Sequence, residues 1–168
     1  MTISMHSASA PVFVKMCENL LKWLDKAEAH AQARKFDTGN YLGLRLAPDM
    51  LPLSKQIQIA SDAAKACMAR LAGTEMPKWP DDEVTLDDLR ARVRKTIDYV
   101  RSFEPAQIDG SETREVTIPM RSGDALKFSG ETYLKHYALP NFFFHITTAY
   151  ALLRHAGVEV GKGDYLGR

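Results

Sequence analysis

Apolar residues recur at the spacing of an α-helix in the first three long segments of the chain. The first segment runs over residues 11–34, the second from residues 49–52 to Gly73, and the third from Thr85 to Val100. Each pattern predicts an amphipathic helix, because positions three and four apart share one helix face. The repeating residues are Phe13, Cys17, Leu20, Leu24, Ala27 and Ala31, then Leu53, Ile57, Ala60, Ala64, Cys67 and Leu71, then Leu89, Val93, Ile97 and Val100.

Residues with strong helix-end preferences mark the predicted boundaries. Pro11 suits a first helical turn, where its missing N–H would have no partner in any case. Gly73 suits a C-terminus because glycine readily adopts the left-handed conformation. Thr85 predicts an N-cap, and Asp87 and Asp88 place negative charge in the first turn, where the helix dipole favours it.

The pattern changes to short alternating runs between residues 115 and 129. The runs EVTIP and ALKFS flank the turn-forming sequence Arg121-Ser122-Gly123-Asp124, which predicts a small β-hairpin inserted before the fourth helix. That helix starts near Gly130 and meets Pro140. Because proline lacks a backbone donor and clashes with the preceding turn, we expect a break or kink after Leu139.

The fourth helix carries polar residues on an otherwise apolar segment, PNFFFHITTAYALLRHAG. Asn141, His145 and Thr148 fall within an arc of roughly 60°. Such a cluster either forms a hydrogen-bonded network inside the core or lines a pocket for a ligand or metal. The residues themselves leave both readings open.

The composition restricts the function classes. The chain has 168 residues and a formal charge of +1, so we expect one domain over residues 1–168 without a strong field that would attract nucleic acid. Cys17 and Cys67 both lie in apolar helical patterns and predict free thiols in a reducing compartment. Because no run approaches the ~20 apolar residues of a membrane span, we expect a soluble cytoplasmic protein with no membrane partner.

Four helices with one long crossover predict an all-α fold, a four-helix bundle with a small hairpin between helices three and four. The chain resembles the DinB/YfiT-like superfamily, and more closely an uncharacterised bacterial branch of it known as a domain of unknown function. The segments that carry the resemblance are LAPDMLPLSKQIQIASDAAK, RLAG, LPNFFFHITTAYALLRHAGV and GKGDYLG.

The superfamily resemblance implies a divalent metal, nickel or zinc, held by one histidine from helix two and two histidines four apart on helix four. His145 matches the later histidine of that pair, whereas Asn141 occupies the earlier position. Helix two contains no histidine, and only Gln56 and Ser61 offer polar groups beside its apolar stripe. Some superfamily members are thiol-dependent transferases or hydrolases.

Two functions follow from these residues. The first is a small-molecule-binding or structural bundle with an eroded metal site, in which Asn141, His145, Thr148 and Gln56 are the candidate ligand-binding residues. The alternative is a metal-dependent thiol transferase or hydrolase that uses His145 as a metal ligand or general base. For Asp62 we expect a solvated or ion-paired carboxylate near a lysine.

A third hypothesis concerns a homodimer. Phe143, Thr147, Tyr150 and Arg154 lie on the helix face opposite His145 and could contact a second subunit. The alternative is that other parts of the same chain cover this face, with Tyr165 and Leu166 anchoring the glycine-rich tail. Coverage of Phe143 and Tyr150 by the tail or hairpin would count against the dimer.

Overall fold

The computed structural model describes residues 3–120 and 122–168. Four long helices form a bundle: α1 (Ala10–Arg34), α2 (Leu53–Ala72), α3 (Leu86–Arg101) and α6 (Leu139–His155). Both α1 and α2 pack against α3 and α6, so the four helices close a ring around a common core. This arrangement confirms the predicted all-α four-helix bundle. The shorter elements are α4 (Pro105–Ile108), α5 (Gly130–Tyr133), α7 (Lys162–Leu166) and a 3-10 turn (Thr38–Tyr41).

Local signals explain where the long helices begin and end. Pro11 lies in the first turn of α1, and α2 ends at Gly73, whose φ of 70° is the left-handed conformation expected of a C-terminal glycine. At the start of α3, the Asp88 N–H donates to Thr85 Oγ1 at 3.1 Å, and the Thr85 N–H donates to the Asp88 carboxylate at 2.9 Å. This reciprocal capping box satisfies two backbone donors that would otherwise lack partners.

The inserted hairpin is present at its predicted place. Strands β1 (Glu115–Ile118) and β2 (Leu126–Ser129) pair in antiparallel register, with Val116 opposite Phe128. Arg121, the first residue of the predicted turn, lies outside the described residues. Phe128 packs against Tyr133 and Tyr137, which joins the hairpin to the region before α6.

The fourth helical region is irregular just before Pro140, as expected from the sequence, but it is not broken there. Residues 134–138 form a π-helical turn between α5 and α6, and the Leu139 N–H donates to the Leu134 carbonyl five residues earlier. Backbone angles at Ala138 and Leu139 stay in the right-handed helical region. The wider turn accommodates a proline that can neither donate nor tolerate the usual i−4 carbonyl nearby.

The core lies between the four long helices and is closed by aromatic contacts. Phe13 of α1 and Phe142 of α6 are both fully buried, and their rings meet edge to face with centroids 4.8 Å apart. Over residues 3–120 and 122–168, the structure contains no helix with both the length and the apolar character that a membrane crossing requires.

The tail folds back across α1 and α6. Tyr165 stacks on the buried Trp23 at 5.5 Å, and Tyr150 packs edge to face on Tyr165 at 5.4 Å. The Thr147 and Tyr165 hydroxyls also form a hydrogen bond of 2.7 Å. Tyr165 is thus the predicted anchor, whereas Leu166 remains 36% exposed and is not one.

These contacts bear on the face proposed for a second subunit. Tail residues cover Tyr150, and Phe143 is half-buried against the core. The exposed aromatic residue of the Phe142-Phe143-Phe144 run is Phe144, at 55%. Coverage of Tyr150 by the tail weakens the case for a dimer on this face, and the homodimer stays a prediction that light scattering would test.

Candidate functional site

His145 pairs with Gln56 across the contact between α6 and α2. The His145 Nδ1 and Gln56 Oε1 atoms are 2.7 Å apart, and both side chains are buried. Gln56 also donates from Nε2 to the Leu51 carbonyl at 2.9 Å. Because that bond orients the Gln56 amide, its oxygen must accept, and we assign the ring proton of His145 to Nδ1.

This pairing determines the chemistry left to His145. Burial lowers the pKa of His145 below its ordinary value of 6.5, so the ring is neutral at physiological pH. With the proton on Nδ1, the lone pair lies on Nε2, which has no hydrogen-bond partner among the residues described. Nε2 is, however, not completely buried. The residue can therefore accept a hydrogen bond or a proton at Nε2.

The structure separates the other two members of the predicted polar cluster from this pair. The Thr148 hydroxyl donates to the Phe144 carbonyl of its own helix at 2.7 Å, a bond that satisfies it locally. Asn141 lies one helical turn before His145 and lines a cavity between α2 and the π-turn. Of the two readings that the sequence left open, a network of hydrogen bonds among Asn141, His145 and Thr148 is not present, and the partner of His145 comes from α2.

The cavity beside Asn141 has a volume of about 200 Å³. Its floor is α2, its opposite wall is the π-turn and the start of α6, and the connector before α3 and strand β1 contribute one residue each. The apolar residues that line it are Ile59, Ala63, Ala66, Met76, Ile118 and Ala138. The alanine side chains of α2 and the π-turn leave this space open because each is only a methyl group.

Polar groups from α2 and the π-turn region meet at the same cavity. Arg70 donates from Nη1 to the Tyr133 hydroxyl at 3.0 Å, and its guanidinium carbon lies 5.7 Å from the Tyr133 ring centre. Tyr137 lies four residues further on and stacks on Tyr133 with ring centres 5.9 Å apart. Burial, the largest influence, raises the pKa of Tyr133 to about 12, so its phenol stays protonated.

Asp62 also borders the cavity, but its charge is engaged elsewhere. Its Oδ1 atom lies 2.7 Å from Lys65 Nζ and 3.0 Å from Arg92 Nη2, and both cationic side chains are almost fully buried. Arg92 in turn contacts Asp81 at 3.0 Å and Glu83 at 2.8 Å. The prediction of an ion-paired Asp62 is thus confirmed.

The residues present do not fit the divalent metal that the superfamily resemblance implies. Gln56, which meets His145 from helix two, and Asn141, at the earlier position of the helix-four pair, supply neutral amides. Zinc and nickel favour imidazole, thiolate or carboxylate over such groups. Across residues 3–120 and 122–168, no three or more His, Cys, Asp or Glu side chains come together in a way that could hold a metal ion.

Comparison with known proteins assigns the chain to a family. The profile of a family described as a domain of unknown function (DUF1993) matches residues 5–166. The chain belongs to the DUF1993 family. No curated protein is significantly similar to this DUF1993 chain.

A solved structure extends the comparison to the DinB family. The DUF1993 chain is 41% identical to a DinB family member from Shewanella denitrificans whose crystal structure is known. The match has a TM-score of 0.87 and covers 97% of this chain and 92% of that chain. The DinB-like resemblance inferred from the sequence is therefore confirmed.

The sequence pattern missed several residues that line the cavity of this DUF1993 protein. Tyr133 and Tyr137 are four apart just before Pro140, which is a usable signal, since it places both rings on one helix face. Arg70 gave no comparable signal, because an arginine in the last turn of a helix is usual. Only the packing of α2 against the π-turn brings it to the Tyr133 hydroxyl.

Proposed function

We propose that this protein binds a small organic molecule in the cavity between α2 and the π-turn, without a catalytic metal. The observation that carries the proposal is the cavity of about 200 Å³, which has apolar walls and polar groups that converge on it. Small-molecule sites combine these two properties, with the apolar surface supplying affinity and the polar groups fixing orientation.

The π-turn supports a binding role for this region. A π-helical turn has a less favourable geometry than an α-helix, and such turns are frequent at functional sites. Here the turn spans Leu134–Ala138 and precedes Asn141. It therefore positions Tyr133, Tyr137 and Asn141 toward α2 in a way that a regular helix through the same residues would not reproduce.

In this proposal the candidate residues predicted from sequence have different roles. Asn141 contacts the ligand, because it lines the cavity. His145 and Gln56 hold α6 against α2 at the neighbouring turn, and Thr148 is satisfied within its own helix. We also propose a cytoplasmic location, since two buried free thiols suit a reducing compartment.

A cavity-filling variant tests the proposal. Ala66→Leu places three additional carbon atoms at the cavity wall, whereas Ala106→Leu adds the same atoms at an exposed position of α4 and serves as the control. A library of small organic molecules is screened against the wild type by ligand-observed NMR and thermal shift. We expect ligands whose binding is lost in Ala66→Leu and retained in Ala106→Leu. Equal binding to all three proteins would contradict a site in this cavity.

Metal content distinguishes this proposal from the metal-dependent transferase or hydrolase. Untagged wild type and His145→Ala are loaded with nickel, zinc and manganese, dialysed, and measured by inductively coupled plasma mass spectrometry. We expect no retained metal in either protein. Near-stoichiometric metal in the wild type that is lost in His145→Ala would instead favour the enzyme and would justify assays with thiol cosubstrates.

A further inference from the structure

We infer that the cavity selects a small organic carboxylate, which Arg70, the Tyr133 hydroxyl and the Asn141 amide hold at its polar end. This inference rests on the proposed function and names the ligand class for the same site. It is carried by three observations: the hydrogen bonds that the lining residues leave unused, the balance of charges around the cavity, and the size of the cavity.

The polar lining offers more donors than acceptors. Arg70 uses one N–H to bond the Tyr133 oxygen at 3.0 Å, and a guanidinium has five N–H groups. Because that oxygen accepts from Arg70, the Tyr133 O–H hydrogen is available to a further acceptor. No hydrogen bond from Tyr133 or Asn141 side-chain donors to another described residue is present. A ligand that supplies acceptor oxygens complements this set.

The charges favour a ligand with one negative charge. Asp62 borders the cavity, but its charge is paired with two buried cations, Lys65 and Arg92. Arg92 also pairs with the carboxylates of Asp81 and Glu83. Lys55 pairs with Asp81 at 3.0 Å, which balances three carboxylates with three cations in this group. Arg70 has no carboxylate within salt-bridge distance in the described part of the chain.

Arg70 is the one arginine among the described residues that line the cavity, and no carboxylate pairs with it. Such a guanidinium suits a monoanion, and carboxylate geometry matches its paired donors. A phosphate dianion would leave its second negative charge without a cation, because Lys65 and Arg92 are already paired with carboxylates. The charge pattern therefore favours a carboxylate over a phosphate.

The size of the cavity limits the rest of the ligand. A volume of about 200 Å³ lies below the roughly 300–1,000 Å³ that is usual for pockets of drug-sized ligands. Ile59 and Ala63 lie about three and two turns before Arg70 on α2 and form apolar surface away from the guanidinium. The space therefore suits a short aliphatic or single-ring body attached to the carboxylate.

Matched acids and amides test this inference. Acetate, butyrate and benzoate are titrated into the wild-type protein beside acetamide, butyramide and benzamide, and affinities are measured by ligand-observed NMR and calorimetry. Each amide has nearly the shape of its acid and lacks the charge. We expect butyrate or benzoate to bind about 10- to 100-fold more tightly than its amide, the range for one charge-assisted contact.

Three variants separate recognition from a structural effect. Arg70→Gln should erase the preference for acid over amide, whereas Arg70→Lys should keep it because the charge remains. Tyr133→Phe should weaken acid binding by a few-fold and keep the preference. The acid-to-amide ratio within one variant is the readout, since a change in folding alone would weaken both members of a pair equally.

The outcomes distinguish this inference from the proposed function. Equal affinity for acids and amides, with both lost in Ala66→Leu, would overturn the carboxylate inference and leave the small-molecule site in place. Tighter binding of inorganic phosphate than of any carboxylate, or an unchanged ratio in Arg70→Gln, would also overturn it. No binding of any probe, together with a library screen that finds no ligand sensitive to Ala66→Leu, would overturn both.

Discussion

Replacement of Gln56 by leucine tests whether the buried hydrogen bond to His145 stabilises the contact between α2 and α6. Leucine has a similar size but cannot accept the proton on His145 Nδ1, which lies 2.7 Å from the glutamine oxygen. His145 is only 9% exposed, so water cannot readily replace the lost partner. The Leu51 carbonyl, the other partner of Gln56, belongs to an exposed residue and can bond to water instead.

The magnitude follows from the cost of a buried donor without a partner. A stranded neutral donor or acceptor costs about 1–3 kcal/mol, and we expect Gln56→Leu to lower the free energy of unfolding by that amount. His145→Leu should cost about as much, because it strands the Gln56 oxygen. The double variant removes both polar partners, so it should be more stable than the sum of the single effects predicts, with a coupling of about 1–2 kcal/mol.

The assay is urea denaturation of the wild type, both single variants and the double variant at neutral pH. Gln32→Leu, at an exposed position of α1, is the matched control and should change stability by no more than about 0.5 kcal/mol. In thermal melts, each kcal/mol corresponds to a shift of about 2–4 °C for a chain of this size. Single effects that add to within about 0.5 kcal/mol would refute the reasoning, because independent sites behave in that way.

Three further predictions follow from individual side chains. Burial lowers the pKa of His145, so near pH 6 the unfolded chain binds more protons than the folded protein. The free energy of unfolding should therefore decrease as pH falls below about 6.5. Urea midpoints should show this decrease in the wild type and a smaller one in His145→Leu. Thr85→Ala should destabilise the protein by about 1 kcal/mol through loss of the α3 cap, while Thr85→Ser should change the melting temperature little. Cys17 and Cys67 are buried, and burial raises the pKa of Cys17 to about 12 and also raises the pKa of Cys67. A thiol reagent should therefore modify neither cysteine until urea unfolds the chain. Rapid modification of the folded protein would contradict this packing.

The sequence signals that succeeded are local ones. The capping residues Thr85 and Gly73 act on their own helix ends, and the hairpin strands lie next to each other in sequence. Pro140 shows the limit of a local rule. Its missing donor predicted a break or kink, and the chain instead forms a π-turn just before it while the backbone stays helical.

The candidate site was predicted only in part. Helical periodicity correctly placed Asn141, His145 and Thr148 on adjacent positions of one helix, and the polar residue Gln56 was identified on α2. Periodicity could not show that His145 faces Gln56 while Asn141 faces the cavity. The two residues lie one turn apart on α6, and each of these turns packs against a different part of α2.

The sequence by itself determined the four long helices, the ends of the first three, the inserted hairpin and the DinB-like family, since each depends on signals within a few residues or on recognisable segments. The tertiary structure decided which polar groups meet. His145 and Gln56 are 89 residues apart, and Tyr133 and Arg70 are 63 apart. Both contacts depend on the rotation and axial position of packed helices. Side-chain packing across the whole core sets these quantities, and no local pattern specifies them.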